Sequence, residues 1–170
     1  EATGKTVALP AGEAVLCAIV ADATKTTSTS AADSLKAAIT PLTTMAASRS
    51  EERIRRGVLV ADAIDEANEL VAKRFGLEDI AGVLPAAPSN AASTLNLAAD
   101  SESARYAAIL AQISEQARQL ANEHGNAEAF TSLDFAAALA LDAEDGAFDG
   151  RRHGRGVAVG TTQLALPANA

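Results

Sequence analysis

The residues Ile54, Val58, Ala61, Ile64, Asn68, Val71 and Phe75 follow one another at steps of three and four, and all but Asn68 are apolar. That spacing places them on one face of a helix and predicts a stripe directed at a core. Glu51–Arg55 and Glu52–Arg56 add i,i+4 pairs with the acid N-terminal, the more favourable orientation, and Gly76 supplies a stop. A second stripe, Tyr106, Ile109, Leu110, Ile113, Ala117, Leu120 and Ala121, predicts a helix that begins near Asp100 or Ser101. His124 suits its negative end and Gly125 terminates it. A further helix is expected from Thr131, with Asp134 in capping-box position, Leu133, Ala136, Ala137, Ala140 and Leu141 facing inward, and Gly146 ending it. Upstream, Thr40-Pro41 is a helix start: Thr40 can cap, and Pro41 stands where a missing N–H costs nothing. Leu42, Met45 and Ala46 continue the apolar face, and the spacing of Ser48 and Glu51 suggests that the helix restarts or is re-aimed there.

The ends of the chain follow a different pattern. Lys5–Leu9 (KTVAL), the turn-like Pro10-Ala11-Gly12 and Ala14–Val20 (AVLCAIV) read as a β-hairpin. Thr24–Ser34 and Gly82–Asn90 read as loops, and Arg151–Ala170 as a turn, short strand and extended tail. The expected fold is mainly α: a three- or four-helix bundle with a small β element formed by the N-terminal hairpin and possibly the C-terminal tail. Its parts are the hairpin and Ser/Thr-rich loop (1–39), the helices (40–150) and the tail (151–170), packed as one unit. Two strands alone are marginal in water. Val157–Val159 and Leu164–Leu166 are the later apolar pieces that can complete their sheet. Failing that, a second copy of the chain can pair with the open edge.

Composition adjusts this picture at two points. Alanine makes up about a quarter of the 170 residues and aromatics only 3%, so the core must be built from thin side chains and close helix contacts. The net charge of -8 works against nucleic acid, whose binding relies on Lys and Arg neutralising phosphates. The longest apolar run, Ala14–Ala21, is too short to cross a bilayer, so no membrane insertion is expected. Protein partners are expected instead, including self-association through strand edges.

Candidate chemistry is sparse. Gly4-Lys5-Thr6 lacks the preceding strand and following helix of a phosphate-binding loop, and reads as a turn. Asp142, Glu144, Asp145 and Asp149 crowd the end of the last helix, where negative charge opposes the helix dipole and a bound cation would relieve the conflict. With Asp145 as position one of a calcium loop, Ala147 and Gly156 fall where a ligand and a bidentate Glu belong, so the EF-hand pattern fails. A solvated turn is therefore preferred, and these four acids remain the alternative, a small-ligand or calcium site. Arg151–Arg155 (RRHGR) can bind an anion or simply offset the neighbouring acids. His124, His153 and Cys17 show no zinc spacing, and no G-x-S-x-G is present. Cys17 sits in an apolar run and reads as an inert thiol, Tyr106 as core, and Asn68 as a hydrogen-bonded amide fixing a neighbouring segment. The residues thus point to no enzyme, no catalytic residue, no cofactor and no metal.

Three pieces carry a resemblance: Ile39–Ala46 (ITPLTTMA), Ala67–Leu77 (ANELVAKRFGL) and Leu141–Gly150 (LDAEDGAFDG). In that order they resemble the helical segment that follows immunoglobulin-like or carboxypeptidase-regulatory-like β-modules in large exported bacterial surface proteins. The N-terminal EATGKTVALPAGEAVLCAIV resembles the closing strands of such a module. The charged SRSEERIRR after the first piece departs from the family's Ala-rich continuation. The resemblance implies an extracellular or cell-envelope setting and a structural or adhesive role, and it brings no catalytic residues.

Overall fold

The computed structural model describes residues 16–20, 37–86, 101–123, 131–159 and 162–163. Among these residues there are four helices: α1 (Pro41–Arg55), α2 (Val60–Arg74), α3 (Glu102–Glu123) and α4 (Ser132–Ala143). Four two-residue strands follow: β1 (Arg151–Arg152), β2 (Arg155–Gly156), β3 (Ala158–Val159) and β4 (Thr162–Gln163). They pair as two antiparallel ribbons, β1 with β2 and β3 with β4. The fold is mainly helical with a small β element, as the sequence pattern predicts.

The helix starts follow capping chemistry. Thr40 is extended and accepts the Thr43 N–H on its hydroxyl, while the Thr43 hydroxyl accepts the Thr40 N–H at 2.9 Å, so two otherwise unbonded donors are satisfied. Thr131 and Asp134 make the same reciprocal pair at the head of α4. Ser48 and Glu51 do not restart a helix, because α1 runs through them.

The stripe from Ile54 to Phe75 is not one helix. Gly57, at φ +89°, ends α1: its N–H donates to the Ile54 carbonyl, and the Val58 N–H donates back to Arg53. This paired closure of the last turn needs a left-handed residue, which glycine supplies without a Cβ clash. Gly76 ends α2 in the same way, with the Leu77 N–H reaching the Ala72 carbonyl. Once the helices are separated, the buried face of α2 is Ala63, Ile64, Ala67, Val71 and Ala72, and Ala61 turns outward. Asn68 is half-buried and carries no side-chain hydrogen bond to another described residue.

α1 packs against both α2 and α4, and Leu42, Met45, Ala67, Val71, Phe135 and Leu139 meet in the shared core. The alanines at the contacts, such as Ala46, Ala67 and Ala136, let these helices approach closely. α3 packs against α4, and Ile113, Ala117 and Ala121 are among its buried residues. Its N-terminal end is held by polar contacts. Buried Tyr106 donates to the Ile80 carbonyl at 3.0 Å and lies 2.6 Å from the Thr40 hydroxyl. Ser103 donates to the Leu84 carbonyl, and Glu102 accepts the N–H groups of Glu78 and Asp79. Leu141, expected inside, is partly exposed on α4.

Of the N-terminal hairpin, Lys5–Leu9 lies outside the described residues. Leu16–Val20 is irregular rather than a strand, and is tied to α1 by the Cys17 N–H donating to the Thr44 hydroxyl at 3.0 Å. The described β element is built instead from 151–163. Val157 and Val159 are buried in the core, so this apolar piece of the tail does fold onto the helices. Leu164–Leu166 lies outside the described residues, as do His124, Gly125 and Gly4-Lys5-Thr6.

Candidate functional site

The polar groups converge where α1 ends, α4 ends and the β1–β2 ribbon turns back. Glu52 enters from the last turn of α1, Glu144 from the C-cap of α4, and His153 from the ribbon turn. Arg152 pairs with Arg155, which leaves His153 and Gly154 as a two-residue loop, with φ of 50° and 79° respectively. Positive φ at both central positions is the type I′ geometry that matches strand twist; Asn-Gly is its usual sequence, and a histidine here is uncommon. The His153 N–H donates to Asp145 Oδ2 at 2.8 Å, which pins the turn against the acidic segment.

The side chains then form one charged cluster. His153 Nε2 lies 3.7 Å from Glu52 Oε1 and 3.8 Å from Glu144 Oε2. Both carboxylates are buried, with 11% and 6% of their side-chain surface exposed. Buried carboxylates need partners. Arg56 Nε donates to Glu52 Oε1 at 2.7 Å, and Arg55 Nη2 stands 3.0 Å from Oε2. The Arg56 bond holds the Glu52 carboxyl below its ordinary pKa of 4.5. Arg152 Nε donates to Glu144 Oε2 at 2.6 Å, and Ser48 donates to Oε1 at 3.4 Å. Arg56 Nη2 approaches His153 Nδ1 at 3.5 Å.

The sequence-level conflict at the end of α4 is resolved from within the chain. Arg49 Nη1 donates to the Glu144 carbonyl at 2.7 Å, so a guanidinium stands at the negative pole of the helix. Gly146, at φ +84°, makes room for it: a Cβ there would meet Arg49 Cζ at 3.2 Å. The remaining acids of the turn mainly cap backbone. Asp145 Oδ1 accepts Ala147 N–H, Asp149 Oδ1 accepts Arg151 N–H, and Asp142 Oδ1 accepts the same Arg151 N–H at 2.8 Å. Asp142 is fully buried and its Oδ2 has no hydrogen-bond partner; burial raises its pKa above 3.8. Of the four sequence candidates, Glu144 alone joins the convergent group. Among the described residues, the one set of three whose ligand atoms all lie within 4.8 Å of one another is Glu52, Glu144 and His153.

Ser48 donates to the Glu144 carboxylate at 3.4 Å rather than to the imidazole. Cys17 is half-buried, and its pKa is raised first by burial and then by Glu51, which opposes thiolate formation. The depression along α3, lined by Ala108, Ala111, Gln112, Glu115, Gln116 and Gln119, is formed by a single helix face. No described helix is long and apolar enough to cross a membrane. In comparison with known proteins, the chain matches no family model, no curated protein and no solved structure.

Sequence reasoning missed Glu52 and joined His153 only to its own loop. The signals were present as RR–HG–RG, a two-residue turn between short matched pieces, and as Gly57, which ends α1 just past Glu52.

Proposed function

We propose that this chain is a non-enzymatic structural or adhesive module of an exported bacterial surface or filament protein. The observation that carries the structural part is the direction of the polar bonds. Arg49 of α1 and Arg152 of the ribbon both bond Glu144 at the end of α4, and the His153 N–H of the ribbon turn bonds Asp145, joining separate elements to one another. Such a network stiffens a module. Contact with a protein partner is supported by the corner between α1 and α2, where consecutive Leu59 and Val60 are 73% and 56% exposed. The surface setting rests on the resemblance of Ile39–Ala46, Ala67–Leu77 and Leu141–Gly150.

Brief proteolysis of intact bacterial cells tests the setting. Peptides of this chain are expected among those released while a cytosolic marker stays inside. Release only after lysis removes the surface reading.

A further inference from the structure

We propose that Glu52, Glu144 and His153 form a binding site for a divalent metal ion of the zinc class. The proposal does not depend on the surface-module reading. It rests on three donors from three separate elements, of which the two carboxylates are buried and the imidazole is partly exposed. Metal–donor bonds of about 2.0–2.2 Å in a tetrahedral shell place neighbouring donors roughly 3.3–3.6 Å apart. The imidazole nitrogen stands 3.7 and 3.8 Å from its two carboxylate oxygens, so the set needs to close by only a few tenths of an ångström at these contacts. One imidazole and two carboxylates suit zinc and its neighbours, whereas calcium takes six to eight oxygens, more than this set offers.

The arginines are the strongest objection, because they already neutralise both acids. They do not use up the ligand atoms. A carboxylate oxygen has more than one acceptor direction, and metal-binding carboxylates are ordinarily hydrogen-bonded from outside in just this way. Arg56 and Arg152 also expose 52% and 44% of their side chains, so water screens much of their repulsion. Their charge lowers the affinity without closing the site. The imidazole must also change tautomer. Without metal, Arg56 Nη2 faces Nδ1, which makes Nδ1 the acceptor and places the neutral ring's proton on Nε2. Metal on Nε2 moves that proton to Nδ1, and the Arg56 head swings off the ring while its Nε can remain on Glu52.

The full 170-residue chain contains two histidines, so their ring signals are readily assigned. Zinc chloride is titrated at neutral pH by calorimetry, with imidazole nitrogen NMR in parallel. The expected result is one ion per chain, a raised melting temperature, and a change of His153 from the Nε2–H to the Nδ1–H form. His153→Asn is the variant of choice, because asparagine tolerates the left-handed turn and so preserves the hairpin. It should weaken binding by roughly tenfold or more, the scale on which even outer-shell losses weaken metal sites. Undiminished binding in His153→Asn places the ion elsewhere and overturns the proposal. So does a His153 ring that responds to acid but not to zinc, which would leave the cluster a proton-linked clasp.

Discussion

Tyr106 shows how much one side chain can hold. Its hydroxyl has a single hydrogen, which goes to the Ile80 carbonyl, so the contact with Thr40 is donated by threonine. One buried oxygen therefore joins α3, the head of α1 and the segment after α2. Tyr106→Phe takes the donor from the Ile80 carbonyl and the acceptor from the Thr40 hydroxyl hydrogen, and should cost about 1–3 kcal/mol by urea denaturation at unchanged slope. Asp142 gives the opposite lesson. Burial raises its pKa, so its protonated form favours the fold: that contribution is full below 3.8 and is lost as pH rises through the higher folded value. In the fold one of its oxygens, Oδ2, has no hydrogen-bond partner. Asp142→Asn removes the charge and keeps an acceptor for the Arg151 N–H. Its melting temperature minus that of the parent should therefore climb between acid and neutral pH. The depressed acids Glu52, Glu69 and Glu115, the last lowered to about 2, lose their contribution as pH falls, but they do so in both proteins and cancel in the difference. A flat or falling difference would show that Asp142 is solvated in solution. The sequence placed Tyr106 in the core through its stripe. It could not show that Asp142 is the buried acid of its turn, because four acids within eight positions look alike until the backbone folds around one of them.

At the scale of elements, sequence reading succeeded where a local cause was sufficient. Thr40-Pro41, Thr131 with Asp134, and Gly76 each fix a boundary by their own backbone chemistry. It failed at Gly57, because the three-and-four spacing runs on across the break and the Glu–Arg pairs favour helix right up to it. The Glu52–Arg56 pair forms as expected, while Arg55 turns from Glu51 to the more buried Glu52. Gly57 has open space where a Cβ would lie, so Gly57→Ala should register backbone strain alone, about 1–2 kcal/mol. Gly146→Ala carries a comparable conformational strain and must also displace the Arg49 guanidinium, so it should lower the melting temperature further than Gly57→Ala does. Equal losses would mean that the Arg49 contact contributes nothing. The break also settles which residues of α2 matter. Val71→Ala should cost about 2–4 kcal/mol, as for a fully buried site that cannot collapse, and a loss below one would put that face on the surface.

At the scale of the whole molecule, the helices share an apolar core, and the ribbon depends on Val157, Val159 and the charged cluster. The composition of the chain announces the first arrangement, since alanine-rich stripes need partners of the same kind. It conceals the second, because Glu52, Glu144 and His153 become neighbours only after α1 and α4 have packed and the turn at His153 has formed. Two ion pairs of nearly equal length separate these contributions. Arg53–Glu66 at 2.7 Å links α1 to α2 in the open, with Glu66 half-exposed, whereas Arg152–Glu144 at 2.6 Å links the ribbon to α4 over a buried carboxylate. Distance alone would rank them alike. Desolvation ranks them differently, because an exposed acid that loses its partner turns to water and a buried one cannot. Arg53→Met should therefore cost no more than about 1 kcal/mol, and Arg152→Met about 2–3 kcal/mol, the loss for stranding a buried hydrogen-bonded charge. Amide hydrogen exchange should locate the second loss. Protection at Arg152, Arg155 and Val157 is expected to fall in Arg152→Met while the amides of α2 keep theirs. If α2 loses protection to the same degree, the ribbon and the helices open as one unit, and the cluster belongs to the global fold rather than to the attachment of its β element.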